Sequence, residues 1–282
     1  MKKILITGAN SYIGNSFENW LKQWPNEYYV NKISVRDNIW KDKNFSKYDV
    51  VFHVAGIAHI KETKQNTELY YKVNRDLVYN VAKKAKSDGV KQFIFLSSMS
   101  VYGVETGVIS KDTIPTPKSN YGSSKLQAEE LVASLQDYSF NIAILRPPMV
   151  YGSGCKGNYA KLKKFAMKSP IFPNIENKRS MIYIDNLSEF IRKIIDNESN
   201  GLYFPQNSEY VCTSDMVIEI AKCKNRKIYM IGSFDILINF LNFKITKKVF
   251  GDLIYEKELS KNNFSYNVYE FKKTIELMER EL

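Results

Sequence analysis

A tyrosine and a lysine stand four residues apart in Tyr121-Gly122-Ser123-Ser124-Lys125, which reads as the start of an amphipathic helix. On a helix, positions i and i+4 share a face, so the ammonium can sit beside the phenol. That pair is the equipment of a general acid or base. A free phenol titrates near 10, whereas a proton shuttle works best near the operating pH. The gap of roughly three units is worth about 4 kcal/mol, and one nearby cation supplies roughly one to three units. Lysine alone closes it only at the top of that range, whereas lysine with a second positive charge can reach it comfortably. Upstream, Phe93-Ile94-Phe95-Leu96-Ser97-Ser98-Met99-Ser100 reads as a buried strand ending in hydroxyls. A Tyr-x-x-x-Lys spacing carries little weight among 19 tyrosines. Its meaning comes from what precedes it.

What precedes it is a phosphate loop. Thr7-Gly8-Ala9-Asn10-Ser11-Tyr12-Ile13-Gly14 follows an apolar N-terminal run and opens an amphipathic stretch. A turn between strand and helix aims backbone N–H groups at a pyrophosphate, and the helix dipole favours its charge. Gly8 permits the tight turn and Gly14 lets the helix pack close to the sheet. Arg36-Asp37 stands after the second apolar run. An acidic residue there bonds ribose hydroxyls, whereas an arginine accommodates a 2′-phosphate. Arg36 comes first, which tilts the expectation toward NADP(H) over NAD(H). His53 and His59 are the only histidines. His53 lies inside an apolar run and reads as a buried imidazole.

Loop, hydroxyl-ended strand and Tyr-x-x-x-Lys, in that order, resemble the short-chain dehydrogenases/reductases, and their extended branch in particular. The family carries Thr-Gly-x-x-Gly-x-x-Gly at the loop; this chain has Ser11 at the middle glycine, where the hydroxyl could donate to phosphate. The resemblance implies a dinucleotide held by Gly8, Asn10, Ser11, Tyr12, Ile13 and Gly14, with Arg36 at the adenosine end. Val54-Ala55-Gly56 is similar to the family's third recurring strand, where small residues let the ribose approach. Asn74 matches a supporting asparagine of the following helix. By position, Ser98 would orient the substrate oxygen, with Ser97 and Ser100 as neighbouring possibilities. Tyr121 would move the proton, and Lys125 would hold the ribose and lower the tyrosine pKa, aided by an oxidised nicotinamide ring. Pro148, in Arg146-Pro147-Pro148-Met149-Val150-Tyr151-Gly152, would lie beside the nicotinamide.

The second half extends the resemblance toward enzymes of UDP-sugars. Gly157-Asn158 is similar to a site where asparagine contacts the nucleotide diphosphate. Arg179, in Arg179-Ser180-Met181-Ile182-Tyr183-Ile184-Asp185, matches an arginine that pairs with phosphates, a task for which a planar fork is suited. With Ser98, Ser100, Asn158 and Arg179 as the substrate-binding set, the implied reaction is hydride transfer at C4 of a UDP-sugar. Met149 replaces the asparagine usual in hexose 4-epimerases, and Tyr183 replaces a histidine. These departures bear on the identity of the sugar; Arg36 and the rather short, atypical second half favour an NADPH-dependent 4-keto-6-deoxyhexose(NAc) reductase of surface polysaccharide synthesis over a UDP-hexose(NAc) 4-epimerase with retained NAD. A dehydratase would need an acidic pair beside the serine, where Met99-Ser100 stand. A dinucleotide-sensing module without catalysis typically lacks the tyrosine or the lysine, and both are here.

These groups need a scaffold, and the apolar pattern supplies one. Near-continuous apolar runs at 4–7, 33–35, 50–54, 93–96 and 142–145 read as strands buried on both faces. Phe17, Trp20, Leu21 and Trp24 recur at helical spacing until Pro25. Leu69, Val73, Leu77, Val81 and Ala85 mark one face of a long helix, and 126–135 another. Strands alternating with helices predict an α/β fold: a Rossmann-type doubly wound parallel sheet. Residues 1–150 would form the dinucleotide-binding part. Residues 151–282 would form a smaller C-terminal substrate-binding lobe, interleaved with the first part and with a strand at 181–184 and a helix at 187–195.

The chain has 282 residues, 44% hydrophobic and 25% charged, an ordinary globular composition. The first apolar run is too short for a secretory signal, and no stretch approaches the roughly 20 apolar residues of a membrane span. Cys155, Cys212 and Cys223 are odd in number and widely spaced, which suggests free thiols, a cytoplasmic setting and no metal site. The net charge of +11 comes from scattered lysines, without the clustering that a nucleic-acid face requires. It suits a solvated surface that attracts anionic diphosphates. The stretch 234–248 joins apolar residues to Lys244, Lys247 and Lys248 and reads as core packing or an oligomer contact, not stable membrane insertion. A homodimer through the helices bearing Asn74 and Tyr121 is the family default.

Overall fold

A computed structural model gives the fold and describes residues 1–58, 60–155, 158–232 and 250–280, with Asn158 as backbone only. Gly157, His59 and the 234–248 stretch lie outside the described residues. The central sheet has six parallel strands: β1 (Lys2–Thr7), β2 (Tyr28–Ile33), β3 (Val50–His53), β4 (Gln92–Leu96), β6 (Asn141–Leu145) and β10 (Gly201–Tyr203). Their spatial order is β2-β1-β3-β4-β6-β10. The order reverses between β1 and β3, the switch point where open α/β sheets bind ligands in the crevice outside their strand carboxyl ends. Between β2 and β3 runs only a short 3-10 turn, Ile39–Asp42, so β2 is the sheet's edge.

Side chains that alternate along the strands face two different helix layers. Leu5, Val51, Phe93, Phe95, Ile142 and Ile144 meet α3 (Leu77–Ser87) and α4 (Asn120–Ala133). Ile4, Ile6, Phe52, Ile94 and Leu145 meet α1 (Tyr12–Leu21) and α6 (Ile184–Asp196). Helix α6 contributes Leu187, Phe190, Ile191, Ile194 and Ile195, all inaccessible to solvent; each such burial contributes about 1.5–3 kcal/mol. The doubly wound α/β expectation holds.

The second half adds short parallel pairs: β7 (Met149–Tyr151) with β9 (Met181–Tyr183), β8 (Ile171–Pro173) with β11 (Tyr229–Ile231), and β12 (Leu253–Tyr255) with β5 (Gly107–Ile109). Around them pack α5 (Asn158–Lys168), α7 (Thr213–Cys223) and a last helix α8 (Phe271–Arg280). Buried Glu279 of α8 accepts from Tyr159 at 2.9 Å and pairs with Lys163 at 2.9 Å and Lys224 at 3.4 Å. The three cysteines are unpaired.

Two local expectations need correction. The second strand is Tyr28–Ile33, not 33–35, because an edge strand tolerates the polar Asn31 and Lys32 that hid it. The long helix of Leu69 and Ala85 is broken by a π turn, Lys72–Asp76, between α2 (Thr67–Tyr71) and α3. The wider turn rotates the helix face. Leu69 is left 43% exposed, while Asn74 becomes wholly buried in the core side of the turn.

Candidate functional site

The turn after β1 is shaped by close approach. Gly8 has φ +114°, and a Cβ there would come within 3.0 Å of the Ala55 nitrogen and 3.1 Å of its Cα. A side chain at Gly14 would lie 3.0 Å from Ile6 Cγ2 and 3.1 Å from Val54 Cγ2. The loop and the end of β3 are therefore in backbone contact, leaving a cradle of the kind that a pyrophosphate at a helix N-terminus requires. Ser11 has φ −69°, an ordinary value, so its Cβ introduces no backbone strain. Its hydroxyl accepts from Gly14 N–H at 3.3 Å and caps α1, a role that the sequence did not suggest. Asn10 is exposed at the rim, and Ile13 packs into both apolar clusters that flank α1. The Tyr12 phenol reaches the second half, where any side chain at Gly152 would collide with it. Burial, with Cys155 and Asp185 nearby, pushes that phenol far above its usual pKa. Arg36 lies three residues beyond β2, exposed to solvent.

Lys125, Asn74 and Gly56 meet at the mouth of the crevice. Lys125 is 4% exposed, and its ammonium donates to the Leu96 carbonyl at 2.8 Å. It also lies 4.7 Å from the centre of the Phe95 ring. Burial lowers its pKa to about 8, partly opposed by Glu129 one turn along α4. A Cβ on Gly56 would stand 3.5 Å from that ammonium and 3.0 Å from Asn74 Oδ1. Asn74 accepts from Ile57 N–H at 2.9 Å and donates to the Ile57 carbonyl at 3.0 Å, fixing the loop after β3. It also donates to Ser124 of α4 at 3.3 Å.

The hydroxyls at the end of β4 separate by environment. Buried Ser97 donates to Glu129. Half-buried Ser98 lies within hydrogen-bonding reach of the Tyr121 phenol. It also donates to Ser100 Oγ at 3.1 Å and caps the turn Met99–Tyr102. Exposed Ser100 returns its N–H to Ser98 Oγ at 3.1 Å. Burial raises the Tyr121 pKa, with the Ser98 hydrogen bond opposing it. The Lys125 ammonium, expected from the sequence to lower that value, donates to the Leu96 carbonyl.

The structure thus gathers Ser98, Ser100, Tyr121, Lys125, Asn74 and Gly56, with the Gly8–Gly14 loop one strand away. Pro148 is buried beside them, and the preceding Pro147 carbonyl accepts from Met99 N–H at 3.0 Å. Arg179 is held elsewhere in the second half: its guanidinium donates to Gly251 at 2.6 Å, and its backbone bridges to Val211 and Leu253. Asn158 opens α5. Tyr183 packs 5.6 Å from the Tyr151 ring and 6.1 Å from Tyr269, as part of an aromatic cluster.

The profile of the NAD dependent epimerase/dehydratase family matches residues 4–204, which takes in the Gly8–Gly14 loop, Ser98, Tyr121, Lys125 and residues of all six strands of the central sheet. The chain belongs to this family. As a member it is an NAD(P)-dependent enzyme, and the Gly8 cradle fits a bound dinucleotide. It is similar to a UDP-glucose 4-epimerase of Vibrio cholerae, with 31% identity over 278 residues, covering 89% of this chain and 83% of that protein. It is also similar to the N-acetyl-alpha-D-glucosaminyl-diphospho-ditrans,octacis-undecaprenol 4-epimerase of Escherichia coli O157:H7, at 29% identity over 80% of this chain and 73% of the relative. In fold it matches a dTDP-4-dehydrorhamnose reductase from Clostridium acetobutylicum ATCC 824, with TM-score 0.76, 18% identity and 99% of both chains covered.

Within this epimerase/dehydratase member, sequence reasoning missed the buried pair that ties the site together. Arg146 donates to Glu129 through Nε at 3.0 and 3.1 Å and through a terminal nitrogen at 2.5 Å. Its other terminal nitrogen donates to the Tyr102 hydroxyl at 2.8 Å, and its carbonyl accepts from Tyr255 at 3.0 Å. The pair joins the helix of Lys125, the strand end of Ser98 and the loop of Pro148. A glutamate four residues after Lys125 was the available signal, since it must share the buried face of α4. His53, inaccessible to solvent, shares a hydrogen bond with Thr7 at 2.8 Å through Nδ1. Burial and nearby Lys125 lower its pKa to about 3, so it is a neutral core imidazole, as its apolar setting suggested.

Proposed function

We propose that this enzyme transfers hydride at C4 of a UDP-linked sugar. The observation that carries the reading is the convergence of the Ser98 hydroxyl, the Tyr121 phenol and the Lys125 ammonium at the carboxyl edge of β4, beside Gly56. When bound, the nicotinamide supplies or takes up the hydride at C4. Tyr121 gives a proton to O4, or removes one, while Ser98 orients that oxygen. Lys125, already desolvated, gives the ribose hydroxyls a donor and brings positive charge toward the phenol. Ser100, Asn158 and Arg179 are our candidates for the rest of the substrate contacts.

Within this chemistry we read the enzyme as an NADPH-dependent reductase of a 4-keto-6-deoxyhexose(NAc) in surface polysaccharide synthesis. Arg36, exposed just past β2, supports the choice of NADP(H), and the packed Tyr183 supports a substrate side unlike that of hexose epimerases. A UDP-hexose(NAc) 4-epimerase with retained NAD is the second reading, favoured by the 31% identity to the Vibrio cholerae enzyme. We also propose a cytoplasmic homodimer joined through the helices of Asn74 and Tyr121, where exposed Leu69 lies on the adjoining α2.

The test begins with the cofactor released on denaturation. Stoichiometric NAD supports the epimerase; an empty protein that binds NADPH over NADH, and loses that preference in Arg36→Asp, supports the reductase. Tyr121→Phe should lose about 10²–10⁴-fold in turnover while keeping dinucleotide affinity. Unchanged turnover would overturn the proposed chemistry.

A further inference from the structure

The N-terminus of the catalytic helix is held from outside its own segment. In α4, Ser119 Oγ accepts from Gly122 N–H at 3.0 Å, the usual local cap. The two preceding donors are taken by a residue nearly sixty positions earlier in the chain. Glu62 Oε2 accepts from Asn120 N–H at 3.0 Å, and Glu62 Oε1 accepts from Tyr121 N–H at 3.1 Å. One carboxylate thus grips both N–H groups, and its charge complements the helix dipole.

The segment that carries Glu62 is itself tied down. Ile57 is bonded at both its N–H and its carbonyl by Asn74. The Tyr70 hydroxyl donates to the Ile60 carbonyl at 2.7 Å. Asn66 accepts from Thr63 N–H at 2.9 Å and donates to the Lys61 carbonyl at 2.9 Å, closing the far side. Asn120 adds a bond from Nδ2 to Thr67 Oγ1 at 3.3 Å. The residues on either side of Glu62, namely Ile60, Lys61 and Thr63, are thus each held by a hydrogen bond.

We propose that Glu62 is a positioning residue: it sets the backbone of Tyr121, and so the place of the phenol, relative to Ser98 and Lys125. It acts through Tyr121 and touches no reacting atom. The inference rests on Tyr121 being the proton-transfer group, as proposed above. Misplacing a reacting group by about 1 Å can cost on the order of 10²-fold in rate. Glu62→Ala removes both acceptors; Glu62→Gln keeps one oxygen of nearly the same reach.

The experiment compares steady-state turnover, substrate KM, dinucleotide affinity and Tm of the wild type, Glu62→Ala, Glu62→Gln and Tyr121→Phe. We expect Glu62→Ala to lose roughly 10- to 100-fold in kcat with dinucleotide affinity unchanged. Glu62→Gln should recover a clear part of that loss. Glu62→Ala within twofold of wild type, while Tyr121→Phe is impaired, would overturn the positioning role and leave the proposed reaction standing. A drop in Tm with parallel loss of dinucleotide binding in both Glu62 variants would also overturn it, in favour of a general structural cap. If Tyr121→Phe turns over normally, the reaction proposed for the site fails first, and the Glu62 assignment with it.

Discussion

Replacing Lys125 by methionine should abolish catalysis and, at neutral pH, should cost the fold little or even stabilise it. The ammonium is buried, and its pKa falls from the usual 10.5 to about 8. A displacement of roughly 2.5 units is about 3 kcal/mol of penalty for holding the charged form inside the fold. Methionine fills a similar volume and removes that penalty. It also leaves the Leu96 carbonyl without its donor, a loss of about 1–3 kcal/mol. The net change near pH 7 therefore lies between about zero and 2 kcal/mol of stabilisation.

The pH dependence is the sharper quantity, because the lost hydrogen bond does not titrate. Below pH 8 both folded and unfolded wild type carry the proton, and the penalty is constant. Between about 8 and 10.5 the folded state releases it while the unfolded state keeps it, so wild-type stability rises by about 1.4 kcal/mol per pH unit. Lys125→Met lacks this term. Denaturant unfolding of both proteins at pH 7 and pH 9.5 should show the variant losing about 2 kcal/mol relative to wild type over that interval. A difference that is the same at both pH values would mean that Lys125 is not held against its own desolvation.

Two further changes probe the frame around it. Gly8→Ala should destabilise the protein by about 1–3 kcal/mol and abolish dinucleotide binding by calorimetry, since φ is +114° and Ala55 backbone occupies the space. Glu129→Gln leaves Arg146 buried against a neutral partner and should cost about 3–5 kcal/mol in denaturant unfolding. In whatever fraction folds, Lys125 loses its supporting negative charge, so its titration and the alkaline loss of activity should move to lower pH in a pH–rate profile.

Much of the scaffold was legible because buried parallel strands write themselves as apolar runs; β1, β3, β4 and β6 are found within a residue or two. Edge strand β2 was misplaced because Asn31 and Lys32 dilute its pattern. The π turn at Lys72–Asp76 could not be read, since an extra residue in a helical turn leaves the apolar period looking continuous. Helix α4 was foreseen from Tyr121, although its apolar period was traced only from 126. Its buried face carries Ser124, Lys125 and Glu129, and polar side chains facing a core defeat a search for apolar periodicity. The Ser98, Tyr121 and Lys125 cluster was legible because its spacing is local and ordered. The Arg146–Glu129 pair and the Glu62 grip join segments far apart in sequence, and their partners meet only in the folded chain.

The sheet's order has a consequence for how the protein is made. One face of β1, β3, β4 and β6 is sealed by α6, which is translated about fifty residues after the last of those strands. At ribosomal speeds of about 5–20 residues per second, roughly 2–10 s pass after β6 is complete before Leu187, Phe190 and Ile191 reach Ile4, Ile6, Phe52 and Ile94. During that interval the nascent chain displays a broad apolar surface beside an unpaired edge at β6, where β10 has yet to dock. A stop codon near residue 150 would make that transient condition permanent, so the resulting fragment should require a chaperone or aggregate rather than fold as a separate module.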